Sequence, residues 1–324
     1  MIKITFKNVG QGDSIIIEWN KDDRNKIALI DCNLYQESNP VLKHITDNEY
    51  TEIEYVILSH PHYDHFSGFL QLLKHCKENN IHIKYFLHTS SQTPSFLKMA
   101  TKSATSETEL QNLFLFIQNN FEQMNMQVGA IQAEMPSEIP LSNDYSISVL
   151  APSQKELNNY ISGADYPFDE ENPHNNPKAN WLSTILKINT LNGYVLLTSD
   201  VDKSSLIRID IKHPERLQSK LILAQSPHHG AKTNHNNAFW RKRNRETQTP
   251  IVFSVGTNSY DHPSEEAVKF FRKNDYKIFS TNKKGALSEM KEEIKEIVLA
   301  LNMFSIKEIV DDNDLQGDKI FDLD

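Results

Sequence analysis

Four metal-ligating side chains fall within six consecutive positions, His60-x-His62-x-Asp64-His65, and no other stretch of the chain restricts its fold so tightly. The run follows Tyr55-Val56-Ile57-Leu58, a short apolar segment that reads as a buried strand. It precedes Phe66–Lys77, where Phe69, Leu70, Leu72 and Leu73 recur at helical spacing. The motif is therefore expected on a loop at a strand end. Imidazole nitrogen and carboxylate oxygen suit divalent cations such as zinc. Residues two apart on an extended backbone point to the same side, so His60 and His62 can face one ion. Asp64 and His65 turn away and can face a second. Pro61 stiffens the loop and lowers the entropy lost on binding.

One cluster cannot fill two coordination spheres, so partners are expected downstream. Asp200 ends the apolar run Tyr194-Val195-Leu196-Leu197-Thr198-Ser199. A carboxylate there can bridge two ions through its two oxygens, or it can cap a helix, a role Asp202 could share. His228-His229-Gly230 follows another apolar strand, Leu221–Ala224, and is a good ligand turn. His262, in Tyr260-Asp261-His262-Pro263, also follows a strand. Of the chain's 13 histidines, these two groups and the motif together hold six.

Several strands are expected in the 324 residues: Ile2–Phe6, Ser14–Trp19, Ile27–Ile30, Tyr55–Leu58, Leu182–Ile188, Tyr194–Thr198, Leu221–Ala224, Ile251–Val255 and Lys277–Ser280. Asn192-Gly193 suits a two-residue hairpin. Glu107–Met126 reads as an amphipathic helix, and Ser153–Lys178, with three prolines, as a loop. Strands and helices recur in two similar halves, which two sheets stacked between helix layers would accommodate. Residues 1–285 are expected to form the main domain, and 286–324 an extension. Its last stretch, Asp311–Asp324, holds six aspartates and one lysine and is expected to fray. The net charge of −9 argues against a surface built throughout for gripping duplex DNA, though a locally basic groove stays open. No apolar run approaches the ~18 residues that span a bilayer, and the first residues alternate like a strand rather than a leader. Two cysteines, Cys32 and Cys76, are too few for a disulfide framework, so a reduced, cytoplasmic setting is expected.

The motifs resemble those of metallo-β-lactamase-fold hydrolases, and most closely the hydrolase domain of ComEC-type competence proteins. The resemblance rests on Val9-Gly10-Gln11-Gly12-Asp13-Ser14, Leu29-Ile30-Asp31, His60-x-His62-x-Asp64-His65, Leu196-Leu197-Thr198-Ser199-Asp200, His228-His229-Gly230-Ala231-Lys232-Thr233 and Tyr260-Asp261-His262-Pro263. It implies an α+β class, a four-layer αββα sandwich, and two divalent ions, Zn²⁺ or Mn²⁺. It places His60 and His62 on the first ion, Asp64, His65 and His229 on the second, and Asp200 between them. Asp31 is expected to support the motif loop, and Asn180 to stand with it behind the ligands. The superfamily often supplies a third histidine to the first ion just before the strand that ends in the bridging Asp. Here that region reads Asn180-Trp181-Leu182-Ser183, as the competence branch similarly has Asn and Ser. Asn180, His174 or water are the alternatives for that position. Competence proteins place this domain in a membrane channel, whereas the sequence here has no membrane segment.

Two cations can hold a hydroxide between them and lower its pKa toward neutrality. The leaving group then needs a proton, for which His262 and His228 are the expected donors, with Asp64 as another acid or base. The first expectation is a phosphodiesterase or nuclease on single-stranded DNA or RNA. Trp240-Arg241-Lys242-Arg243-Asn244-Arg245 offers four cations and a stacking ring, and Lys232 a further phosphate contact. The alternatives are a hydrolase of a small phosphodiester, phosphorylcholine-like ester, cyclic nucleotide or lactone, and a regulatory or assembly subunit. In that last reading the metals are structural and the acidic tail docks a protein partner.

Overall fold

Alternation of side chains along the strands decides the layering. In a computed structural model, which describes residues 1–22, 24–89, 100–101, 103–135, 137–164, 178–288 and 312–324, the strands form two seven-stranded sheets. The first contains β1 (Ile2–Phe6), β2 (Ile15–Lys21), β3 (Arg24–Ile30), β4 (Glu52–Leu58), β5 (His82–His88) and β6 (Gln127–Ala130). The second contains β7 (Ile139–Pro140), β8 (Ser146–Ala151), β9 (Ile185–Thr190), β10 (Gly193–Leu197), β11 (Leu221–Gln225), β12 (Thr249–Phe253) and β13 (Tyr276–Ser280). A last strand, β14 (Lys319–Leu323), returns to the edge of the first sheet.

Period-two patterning divides each strand between two faces. On β2, Ile15 and Ile17 enter the core between the sheets with Ile147, Ile188, Val195 and Leu223. Ile16, between them, faces the helices instead, beside Phe69, Leu73, Leu110 and Leu113. On β10 the same rule sends Val195 and Leu197 inward between the sheets. Tyr194 and Leu196 meet a second helix layer with Leu206, Ile209, Trp240 and Phe271. The result is helix, sheet, sheet, helix.

Each sheet is half antiparallel and half parallel. β3, β4 and β5 run parallel, as do β10, β11, β12 and β13. Loops that carry chemistry leave the carboxyl ends of these parallel strands, the usual place for a site in such sheets. Asp31 follows β3, the histidine motif follows β4, Asp200 follows β10, His228-His229 follows β11 and His262 follows β12.

Two expectations are corrected here. The stretch read as a loop from Ser153 begins with a helix, Gln154–Ala164. Its start is a capping box: Glu156 Oε2 accepts from the Ser153 amide at 2.6 Å, and Ser153 Oγ accepts from the Glu156 amide at 3.2 Å. Residues 165–177, which include His174, lie outside the described residues. The second correction concerns the acidic end. Rather than fraying, Lys319–Leu323 pairs antiparallel with β1, Phe321 opposite Ile4 and Leu323 opposite Ile2. Phe321 meets the ring of Phe6 edge-on at 6.2 Å and that of Phe279 at 5.1 Å. Asp318 pairs with Lys7 and accepts from the Asn8 amide at 2.7 Å. The tail's aspartates obscured an ordinary strand alternation. Elsewhere the expected helix over Glu107–Met126 spans Ala104–Asn120, with Ser103 as its N-cap. The turn at the hairpin is Leu191-Asn192, with Gly193 already in β10 opposite Thr190.

Phe321→Ala is expected to lower the unfolding free energy by about 1–2 kcal/mol, less than a fully buried Phe because the ring is partly exposed. Denaturant unfolding of the two proteins checks this, and a frayed tail would give equal midpoints.

Candidate metal centre

The centre is built around one buried carboxylate. Asp200, 1% exposed, follows Ser199, whose φ of 44° turns the chain sharply out of β10. That turn is held by Gln225 at the end of β11, whose Oε1 accepts from the amides of Thr198 at 2.9 Å and Ser199 at 3.0 Å. Asp200 is thereby directed into the site rather than over a helix end. Asp202 occupies the N-cap position of Lys203–Lys212 and makes no side-chain cap bond.

The two oxygens of Asp200 face different partners. Oδ1 lies 3.6 Å from His65 Nε2 and 3.3 Å from His229 Nε2, and Asp64 Oδ2 is 3.5 Å from the same His229 nitrogen. Oδ2 lies 3.5 Å from His60 Nε2, 3.9 Å from His62 Nδ1 and 3.3 Å from His228 Nε2. Two groups, Asp64-His65-Asp200-His229 and His60-His62-Asp200, each bring their ligand atoms within 4.8 Å of one another. The donors fit divalent cations. Asp200 Oδ1, His65 Nε2 and His229 Nε2 are buried and make no hydrogen bond. A buried polar atom without a partner costs about 1–3 kcal/mol, and three that converge on one point are the mark of a cation position.

The outer ring nitrogens are held from behind, which fixes the tautomer that leaves the inner nitrogen free. His65 Nδ1 donates to Asp31 Oδ2 at 2.6 Å. His229 Nδ1 donates to the Ser254 carbonyl at 2.7 Å. His60 Nδ1 meets Ser199 Oγ at 3.1 Å, while its inner Nε2 lies 3.0 Å from His62 Nδ1. Asp31, at φ 61°, also accepts from the Ser59 amide at 2.7 Å and from Ser59 Oγ at 2.6 Å, so it ties β3 to the motif loop. Gly12 sits against this loop. A Cβ there would lie 2.3 Å from the Asp64 carbonyl, which accepts from the neighbouring Asp13 amide at 3.1 Å.

The electrostatics follow from buried acids surrounded by imidazoles. Burial opposes charge on His65, but the carboxylates of Asp31 and Asp200 outweigh it and hold its pKa well above the ordinary imidazole value. Burial likewise opposes charge on His229, yet Asp200 and Asp64 raise it to about 9. Asp200 stays well below the usual carboxylate range despite burial, held there by His228, His229 and His65. Burial and the neighbouring His65 push His60 well down. In the metal-free protein the carboxylates thus favour the charged forms of His65 and His229 at the place where cations would stand.

Asp13, Ser59, Ser199 and Gln225 support the centre and were not singled out as site residues from sequence. Gln225 Nε2 donates to Asp13 Oδ2 at 2.8 Å, and Ser59 Oγ meets Ser199 Oγ at 2.7 Å, so the two sheets are stitched together directly behind the ligands. Asn180, in a single 3₁₀ turn (Ala179–Leu182), contacts His228 Nδ1 at 3.3 Å. His262 brings its ring 5.4 Å from that of His228.

The basic run is placed differently from expectation. Trp240 is fully buried against Phe239, Phe271 and Tyr276, so its ring cannot stack on a ligand. Arg243 is turned into the fold, where it pairs with Asp210 and donates to the Phe239 carbonyl at 2.9 Å. Lys242 also pairs with Asp210, Arg245 lies 3.8 Å over the Tyr276 ring, and Arg241 lies 5.5 Å from the Phe270 ring. Lys232 is exposed and pairs with Glu266. The two short-range jobs of this segment, closing a helix end and covering aromatic rings, account for most of its charge.

Residues 8–112 match the sequence profile of the Metallo-beta-lactamase superfamily. No curated protein matches the chain by sequence. Among solved structures, the chain is similar to Tm1679, a metal-dependent hydrolase of the beta-lactamase superfamily, at 15% identity and a TM-score of 0.48, over 86% of this chain and 96% of the other. It is similar to a diphosphatase from the PhnP family at 13% identity and 0.45, over 86% and 94%. It is similar to YhfI from Bacillus subtilis, a metallo-beta-lactamase fold protein, at 13% and 0.46, over 86% and 95%. The two sheets flanked by helices, with the matched segment supplying β2, β3, β4 and β5 of the first, are the metallo-β-lactamase fold.

Metal uptake at pH 7 is expected to release protons, because a ligating imidazole must be neutral. His229 in the metal-free protein gives up its proton only near pH 9, so affinity should rise with pH toward that value. By the same sign, its contribution to metal-free stability is full below the ordinary value of 6.5 and is lost as pH rises through about 9. Calorimetric titration at pH 7 in two buffers of different ionisation enthalpy checks this, and a buffer-independent binding enthalpy would contradict it.

Proposed function

We propose that the protein is a metal-dependent hydrolase that takes two divalent ions, zinc or manganese, and cleaves phosphodiesters, with single-stranded DNA or RNA as its substrate. The observation that carries this reading is the division of Asp200: one oxygen faces His65 and His229, the other His60, His62 and His228. A pair of divalent ions bound there would lower the pKa of a water and offset negative charge growing on a phosphoryl oxygen.

The chain's own residues then have defined tasks. Asp31, Ser59 and Ser199 hold the histidines in register. Asp64, partly exposed, is the ligand nearest to solvent in its group and the one able to exchange a proton with a bound substrate. His262 is the proton donor to the leaving group. Its backbone is fixed on both sides by Asn258, whose Oδ1 accepts from the His262 amide at 3.0 Å and whose Nδ2 donates to its carbonyl at 3.0 Å. Tyr260, 63% exposed, places its ring 5.6 Å from that of His262. An exposed ring beside a proton donor is a platform for the base next to a scissile phosphate. This arrangement is consistent with the ComEC-type resemblance.

The alternative, a small phosphodiester, phosphorylcholine-like ester, cyclic nucleotide or lactone as substrate, is favoured by one observation. Arg243 and Lys242 are committed to Asp210, which leaves the basic run short of the four cations counted in the sequence. A regulatory subunit with a docking tail is less well supported, since the described part of the tail is a sheet strand. Among the described residues no helix is long and apolar enough to cross a membrane. A cytoplasmic setting belongs to the proposal.

The test is a panel of labelled single-stranded DNA, RNA, duplex DNA and a chromogenic phosphodiester, each with Mn²⁺, Zn²⁺ and Mg²⁺. Asp64→Ala and His229→Ala are expected to fall to background on every substrate, with the fold intact by circular dichroism. Tyr260→Ala should weaken binding of single strands by about 5- to 150-fold, the worth of one stacked base. Failure of the wild type to cleave any phosphodiester with any of the ions would refute the reading. Turnover of the small ester with no binding of strands would move it to the alternative.

A further inference from the structure

We propose that His228 is the third histidine of the first metal position and that Asn180 positions it, which rests on the two-ion reading above. Sequence comparison leaves that position to Asn180, His174 or water, and His228 to proton transfer. The geometry points elsewhere.

His228 and His229 are adjacent, and both lie in the left-handed region, at φ 47° and 55°. Left-handed backbone is costly for residues with a Cβ, of order 1 kcal/mol each, and two in succession persist only where the surroundings hold them. They are held. The His228 amide donates to the Ser199 carbonyl at 2.8 Å, the Ala231 amide to the His228 carbonyl at 2.9 Å, and His229 Nδ1 to Ser254. The effect of the strain is to separate the two rings, whose planes stand 66° apart with centroids at 5.9 Å. Each Nε2 reaches one oxygen of the same carboxylate, and both distances are 3.3 Å: His229 to Asp200 Oδ1 and His228 to Asp200 Oδ2. A histidine needed only as a surface acid would require no such turn.

Ligand count agrees. His60, His62 and Asp200 give the first position three donors, one short of the four that zinc takes. His228 Nε2 approaches the same oxygen, Oδ2, at 3.3 Å and is the nearest further donor, standing just outside the 4.8 Å group of His60, His62 and Asp200. Asn180 stands behind the ring, at Nδ1, rather than in the position itself. The atom that meets Nδ1 is Asn180 Nδ2; with the amide turned over, Oδ1 would accept from Nδ1–H and fix the tautomer that presents the Nε2 lone pair, as Asp31 does for His65 and Ser254 for His229. The asparagine that stands where the superfamily often has a histidine thus supports a histidine from another loop. Of the two histidines expected to donate a proton, this leaves His262.

The test uses the metal-free full chain titrated with Co²⁺ and Zn²⁺ against a chromophoric chelator, with the Co²⁺ ligand-field spectrum recorded at each equivalent. Wild type is expected to take two ions. His228→Ala should keep one tightly and lose the other, with the spectral contribution of one four-coordinate ion gone. Asn180→Ala should weaken that same ion about 10- to 100-fold, and Asn180→Asp should restore it, because a carboxylate also accepts from Nδ1–H. The Asn180 pair decides the matter even if His228→Ala fails to fold. Two ions bound to His228→Ala or Asn180→Ala as tightly as to wild type would overturn this inference and leave the two-ion reading standing. A wild type that takes only one ion would overturn both.

Discussion

Burying Asp200 is the constraint on which the rest of the structure depends. An ionised carboxylate at 1% exposure cannot persist without opposite charge, since an isolated buried charge costs far more than a domain's whole stability. Asp13 and Asp31 are buried close by, and burial pushes the Asp31 carboxyl up from its ordinary value. In the metal-free chain imidazolium rings carry the compensation, and a ring that is protonated in order to balance a carboxylate is not yet a ligand. Divalent ions in place of those protons would bring more positive charge to the buried carboxylate and give the inner nitrogens partners. Metal binding and the stability of this edge of the sandwich are therefore the same problem.

The fold addresses it by convergence. Five loops arrive at one place because five parallel strands end there, three of them (β10, β11 and β12) in the second sheet and two (β3 and β4) in the first. The apolar core between the sheets sets their separation. The polar bonds at their ends then lock it, Gln225 to Asp13, Ser59 to Ser199, and the Thr184 amide to the Ser59 carbonyl at 3.1 Å. These bonds lie between the two sheets, next to the loops that carry the candidate ligands.

Much of this was legible in the sequence, and the reason is local. The motif sits within six residues, its flanking strand and helix show plain periodicity, and Asp200 and His229 follow apolar runs that could only be strands. The alternation suited two stacked sheets between helix layers, and the family resemblance implied the αββα class. What was hidden was long-range. Ser153-x-x-Glu156 is a capping signal set in a polar, proline-bearing stretch whose composition reads as loop. The strand at Lys319–Leu323 is masked by aspartates and completes a pair with residues more than three hundred positions earlier. Arg243 and Trp240 look like a nucleic-acid grip in sequence, and only the packing shows them turned inward toward Asp210 and Phe271. The split of His228 and His229 across one carboxylate depends on two backbone angles, which no residue pattern encodes.

The central claim is that one buried carboxylate lies between two cations. Crystals of the metal-loaded protein, with anomalous data collected on both sides of the metal's absorption edge, test it most directly. The account predicts two peaks, one facing each oxygen of Asp200, the first among His60, His62 and His228 and the second among Asp64, His65 and His229. A single peak at full loading, or a second peak away from Asp200, would contradict it.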